Sequence, residues 1–257
     1  MLTWDSFLPF ALAAAGLWAL AALTALFHKG EGKSQMCLLV LGGGIVVYCI
    51  FIAGLWVGLE RPPLRTLGET RLWYSLFMMV SAWMVYARWH YRWLPLTSLV
   101  VALVFIIINL VRPDIHDQSL MPALQSAWFI PHVTVYMFSY SLFGCAFLLS
   151  VAGLWRRTDK YLITTDSLTR IGLLFLTFGM LSGCVWAKQA WGDYWSWDPK
   201  ETWAAATWCV YLGYIHQRIT RRDMSCYVWL IVGFLLLQMC WYGVNFLPTA
   251  EGSMHSY

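Results

Sequence analysis

Charged side chains are scarce in this chain: they make up 12% of its 257 residues, where a soluble domain of this size carries roughly 25%. The shortfall excludes a water-soluble globule and says that much of the surface meets lipid. Paired cysteines are also missing. Cys37, Cys49, Cys145, Cys184, Cys209, Cys226 and Cys240 contain no CxxC pair and no zinc-ligand spacing, so they read as small apolar side chains buried in helices. Thiol–disulfide chemistry by the chain itself is therefore not expected. No basic residue precedes the first apolar run, and Lys29 and Lys33 follow it. A cleaved signal peptide carries its positive charge in front, so this run is expected to be a retained helix with the N-terminus outside. There is no internal repeat, low-complexity stretch or linker, and residues 1–257 are expected to form a single integral membrane domain.

What is present is a series of long apolar runs, at about 7–27, 37–59, 72–89, 94–111, 133–154, 170–189, 202–219 and 226–247. A bilayer core of about 30 Å needs roughly 20 apolar residues per helix. The fold class is therefore all-α, a polytopic membrane protein of about eight transmembrane helices. Lys29, Lys33, Arg88, Arg92, Arg156, Arg157, Lys160, Arg170, Arg218, Arg221 and Arg222 fall on one side. Arg61, Arg65, Arg71, Arg112, Lys188 and Lys200 fall on the other. The richer side is expected to be cytoplasmic. Both termini and the loops 60–71, 112–132 and 190–201 then face outward.

The segment Trp186–Trp203 holds five of the seventeen tryptophans in eighteen residues. An interfacial aromatic belt explains tryptophan at helix ends in general, but not this density at one end alone. Asp198, Pro199 and Glu201 fit the N-cap, first-turn and capping-box positions of the seventh helix. A rigid helix start would fix the preceding indoles in place. Such a surface suits a flat, wide π-system: a porphyrin first, a quinone ring or an extended peptide otherwise.

Six histidines complete the inventory. His28 and His90 read as polar residues at cytoplasmic helix ends. His116, beside Asp114 and Asp117, reads as a solvated loop residue. His132 opens the fifth helix on the outer side and His255 lies in the outer tail. Both share the tryptophan face and could supply two axial ligands to a haem iron. His216 lies 17 residues after Pro199, or about 26 Å along one helix. That places it near the inner leaflet, where an ionisable residue is either functional or snorkelling to the interface.

Trp191-Gly192, Trp195, Trp197-Asp198-Pro199, Glu201 and Trp203 resemble the WGxxWxWDPxExW motif of haem-handling proteins. The Asp-Pro-Lys-Glu-Thr-Trp form is most similar to the CcsA (ResC) family of system II cytochrome c maturation. The CcmC and CcmF families of system I share the motif but differ around it. Pro62–Glu69 resembles the family's Pro-to-Glu stretch, His132-Val133 its outer histidine, His216 its transmembrane histidine, and Gly252–Tyr257 its terminal His-Ser-Tyr. The likeness covers most of the chain from residue 60 onward.

The resemblance implies that haem b is carried across the membrane as a substrate and attached to apocytochrome c at a CxxCH motif. It implies a CcsB (ResB) partner subunit with which the haem lyase activity is shared. His132 and His255 would be the outer axial ligands. Trp191, Gly192, Trp195, Trp197, Asp198 and Trp203 would line the haem-binding loop. His216 would be one ligand of an inner site whose opposing ligand belongs to the partner. Arg65, Lys188 and Lys200 lie on the side where propionates would be met, though each reads first as a solvated loop charge. The expected setting is a bacterial plasma membrane or a thylakoid, and no nucleic-acid partner is expected. Two other functions remain open: a haem exporter or chaperone that forms no thioether, and a transporter or quinone-linked subunit. A transporter calls for paired helix breaks near the midplane, and Gly42-Gly43-Gly44 has no counterpart elsewhere.

Overall fold

The computed structural model describes residues 2–30, 32–116, 124, 126–248 and 253. Among them are eight α-helices and no strand: α1 (Phe7–Leu26), α2 (Gln35–Leu59), α3 (Leu67–Trp89), α4 (Leu94–Val111), α5 (Phe129–Trp155), α6 (Leu162–Trp191), α7 (Pro199–Thr220) and α8 (Cys226–Trp241). The chain is a polytopic all-α membrane protein. Helices α2, α4, α5 and α6, together with α1 and its leading turn, are long and apolar enough to cross a bilayer. Helix α8 is apolar but shorter, at 16 residues, and continues into a 3-10 turn over Gly243–Phe246.

Hydropathy places the helices but misplaces several ends, each for a visible reason. Helix α3 begins before its apolar run because Thr66 and Glu69 form a capping box. Glu69 is fully buried. Its carboxylate accepts two hydrogen bonds from the Arg61 guanidinium at 2.9 Å and one from the Arg65 N–H at 2.7 Å. Helix α6 runs eight residues further back than expected, through Asp166 and Arg170. Asp166 can join it because Arg218 on α7 grips its carboxylate at 2.6 and 2.7 Å and the Tyr214 hydroxyl donates at 2.6 Å. Helix α5 includes Pro131 because a first-turn proline gives up no needed N–H.

The chain packs as two compact units, residues 1–119 and 120–257. In the first, α1 packs on α2 and α4, and α3 on α4 and α2. Gly42-Gly43-Gly44 lies within an unbroken α2, where Gly44 leaves room for the fully buried Trp18 of α1. In the second, α5 packs on α6 and α8, and α7 on α8 and α6.

Two expectations are corrected by packing. His116 is not a solvated loop residue: its ring stacks on Trp4 at 3.7 Å and 6°, and a side chain at Gly68 would strike it. Cys37, Cys145, Cys226 and Cys240 are buried, but Cys49 and Cys209 are exposed on helix faces. In a bilayer such faces meet lipid, for which a thiol is as acceptable as a core is. No disulfide joins the seven.

Candidate functional site

The aromatic loop joins α6 to α7 and its backbone is set at both ends. Gly192 closes α6 with φ +94° and donates its N–H to the Lys188 carbonyl at 3.2 Å. Only glycine enters that conformation without strain. The Lys188 ammonium donates to the Gly192 carbonyl and lies 5.4 Å over the Tyr194 ring, so this cation is engaged within the loop. At the other end Asp198 caps α7. Its Oδ1 accepts the Lys200 N–H at 3.0 Å, and the Glu201 side chain completes the capping box.

Glu201 does more than cap. Its Oε2 accepts N–H groups from Ser196 at 2.9 Å and from Asp198 at 3.1 Å. These two donors flank Trp197, which is turned into the left-handed region at φ +59°. For a residue with a Cβ that conformation costs about 1–2 kcal/mol. The carboxylate clasp on both neighbours holds it, and the Trp197 indole is left 69% exposed. Trp195 is half-buried and meets Trp197 edge-on at 5.7 Å.

His132 sits in the first turn of α5 and faces α6. Its Nδ1 lies 2.8 Å from the Gly179 carbonyl. A carbonyl can only accept, so Nδ1 carries the proton and the ring lone pair belongs to Nε2. The ring stacks on buried Trp186 at 5.4 Å and 26°, and Trp186 meets Trp191 at 4.7 Å. His132 is thus joined to the start of the aromatic loop through one intervening indole. The ring fits because α6 is notched: a Cβ at Gly183 would lie 2.7 Å from it. The Gly-x-x-x-Gly spacing of Gly179 and Gly183 is a sequence signal for such close approach that the hydropathy reading passes over.

His255 lies outside the described residues. Ser253, two residues before it, is described, and its hydroxyl donates to Asp198 Oδ1 at 3.1 Å. Trp203 lies in the second turn of α7, half-buried. His216 is at the far end of α7 from the loop, exposed, with Nδ1 3.0 Å from the Leu212 carbonyl. His132, Trp186 and Trp191 are therefore brought together, Trp195 pairs with Trp197, and Asp198 meets the tail. His216 stands apart from all of them. No cluster of three or more His, Cys, Asp or Glu with metal-holding geometry occurs among the described residues.

Residues 7–250 match the family described as cytochrome C assembly protein. The chain is 42% identical over 155 residues to cytochrome c biogenesis protein CcsA of Chlamydomonas reinhardtii, covering 54% of this chain and 43% of that one. It is 34% identical to its namesake in Coffea arabica, covering 55% and 60%. It is 30% identical to that of Pelargonium hortorum, covering 83% and 84%. The matched span is thus about half the length of the first two relatives and most of the third.

Proposed function

We propose that this chain, which belongs to the cytochrome c assembly protein family and serves c-type cytochrome biogenesis, binds haem b as its substrate at the aromatic loop. There it presents the haem for covalent attachment to apocytochrome c. The observation that carries this reading is the setting of His132. A histidine that donates Nδ1–H to a backbone carbonyl is fixed in ring orientation and made more basic at Nε2, which is how protein ligands to iron are held. Beside it, Trp186 and Trp191 begin a run of indoles able to pack on a flat macrocycle. His132 and His255 are the axial ligands in this reading. Trp191, Trp195, Trp197 and Trp203 pack on the ring, and Gly192 and Asp198 shape the loop.

The attachment chemistry belongs to the thiols and the vinyl groups. Each cysteine sulfur of a CxxCH segment bonds to one vinyl carbon and the proton goes to the other, with no net change in oxidation state. The chain contributes position: it holds one ring edge where the thiols can meet it. His216 contributes one imidazole to a second haem site at the opposite end of α7. A CcsB/ResB-type subunit supplies the opposing ligand, which fits an imidazole exposed on the outside of its own unit. The lyase activity is then shared with that subunit. In this reading the loop lies on the periplasmic or thylakoid lumenal side.

The test is purification of the full chain with its partner subunit. The expected result is a six-coordinate haem spectrum that His132→Ala and His255→Ala each weaken, and covalent cytochrome c from these two components alone. His216→Gly should deplete haem at the loop while leaving it able to accept added haem. Parental spectra and cytochrome maturation in both outer variants would refute the ligand assignment. Bound haem without thioether formation would favour a haem exporter or chaperone.

A further inference from the structure

The end of α7 away from the loop is tied to α6 by one carboxylate. Asp166 Oδ1 accepts the Tyr214 hydroxyl at 2.6 Å and the Arg218 Nε–H at 2.7 Å, and its Oδ2 accepts Arg218 Nη2–H at 2.6 Å. Arg218 Nη1–H is donated to the Arg221 carbonyl at 2.8 Å. Replacing a buried ion pair by apolar side chains of similar size is often neutral for stability or better, so stability alone does not call for charges here. What a forked pair supplies is a fixed geometry, whereas apolar contact is non-directional.

That geometry sets how α7 is turned. At about 3.6 residues per turn, Tyr214 and Arg218 lie about 40° apart around the helix axis and His216 about 160° from each. Exposure follows the same division. Ala204, Thr207, Tyr211 and Tyr214 are buried, while Thr202, Cys209 and His216, which recur along one stripe, are exposed. His216 Nδ1 lies 3.0 Å from the Leu212 carbonyl. A carbonyl can only accept, so Nδ1 carries the proton and the lone pair belongs to Nε2. His216 thus has the protonation pattern of His132, on the face of α7 opposite the carboxylate clamp.

We propose that Asp166 is a positioning residue: by holding Tyr214 and Arg218 it fixes the rotation of α7 so that His216 presents Nε2 to haem at the second site. The proposal rests on the reading of His216 as a haem ligand, and it assigns Asp166 no contact with haem. A binding constellation tolerates about 10–20° of misorientation. A helix end that slips by one residue turns by about 100°, which is enough to take the imidazole out of line with the opposing ligand.

The experiment uses the full chain with its partner subunit in lipid nanodiscs. It compares Asp166→Leu/Arg218→Met, Arg218→Lys and Asp166→Glu with the parent. The first readout needs no haem. His216→Cys or Gln217→Cys is added to each background, and labelling of that position by a water-soluble maleimide is followed peptide by peptide. In the parent, His216→Cys should label faster than Gln217→Cys, because His216 is exposed and the Gln217 side-chain oxygen is buried. The ratio of the two rates should fall toward one in Asp166→Leu/Arg218→Met. It should fall part of the way in Arg218→Lys, which keeps the charge but not the fork. Asp166→Glu keeps the carboxylate and should stay near the parent.

The second readout is haem reaching the loop. Loading should fall in Asp166→Leu/Arg218→Met and in Arg218→Lys, and hold in Asp166→Glu. Millimolar imidazole should restore it, as it should in His216→Gly. An unchanged labelling ratio in both clamp variants overturns the proposal, and so does parental loading in both. A loss that imidazole does not restore also overturns it, because general damage to the fold would then account for the loss. Parental loading in His216→Gly overturns the reading of His216 as a ligand instead, and with it the purpose of the clamp, whatever the labelling shows.

Discussion

A single methyl group at position 183 should unseat His132. A Cβ placed there would lie 2.7 Å from both Nδ1 and Cε1 of the imidazole, and ordinary contact begins near 3.4 Å. The ring must therefore move by about 0.7 Å, the difference of those two distances. It has little freedom to do so. Nδ1 is bound to the Gly179 carbonyl at 2.8 Å, Tyr136 lies 4.5 Å away and Trp186 5.4 Å away, ring to ring. Overpacking of this kind costs about 1–3 kcal/mol, and the broken hydrogen bond adds about 1 kcal/mol. Alanine regains about 1 kcal/mol of helix propensity over glycine. Gly183→Ala should thus destabilise the chain by about 1–3 kcal/mol on balance. Denaturant unfolding in detergent measures the cost. Gly16→Ala is the control, since nothing lies within 4 Å of a Cβ at Gly16. Haem added to Gly183→Ala should show a weakened axial ligand that millimolar imidazole restores. A Gly183→Ala chain as stable as the Gly16→Ala control, with the parental haem spectrum, would refute the notch and its role.

Other outcomes follow from the same geometry. Glu201→Ala removes the acceptor from both N–H groups flanking Trp197 and should cost about 1–3 kcal/mol. It should also blue- or red-shift the loop's tryptophan emission, whereas Glu201→Gln, which keeps one acceptor oxygen, should lose less. Asp166→Leu leaves the Arg218 guanidinium, 10% exposed, without its carboxylate and should cost about 3–5 kcal/mol. Asp166→Leu/Arg218→Met should recover most of that. Equal losses in the single and double variants, measured by unfolding, would count against the pair. Burial is the largest influence on His116 and lowers its pKa; Arg71 acts in the same sense, and Glu69 and Asp114 act against it. The folded state therefore favours the neutral ring. Its contribution is present above the ordinary value of about 6.5 and is lost as pH falls through the lower folded value. Exchange protection around residues 113–116 should drop on acidification, and a flat profile down to pH 4 would argue against the half-buried stack.

The eight helices are legible in the sequence because a bilayer selects for apolar length, and length is what a hydropathy window counts. Helix α4 falls on its apolar run at both ends. At α3 and α6 the helix starts move because a charge sits inside the helix and finds its partner elsewhere. A window over one segment sees Asp166 as an interruption and cannot see Arg218 52 residues later. The candidate site was legible in its indoles and in the cap at Asp198–Glu201, since both are local patterns. The seat of His132 was not, because it depends on which face of α6 meets α5. Nor was the bond from Ser253 to Asp198, which joins segments 55 residues apart. His116 was misread because the side chain that covers it, Trp4, lies over a hundred residues away in the chain.

The left-handed turn at Trp197 also bears on how this position can drift. Backbone strain there favours replacement by glycine, a codon one base away, and opposes the branched aliphatics that lipid-facing segments otherwise accept. Random mutation is thus offered a relaxed backbone at the loss of one indole. Whatever keeps tryptophan at position 197 must outweigh that steady pull of about 1 kcal/mol or more, and a library randomised at this codon would measure by how much.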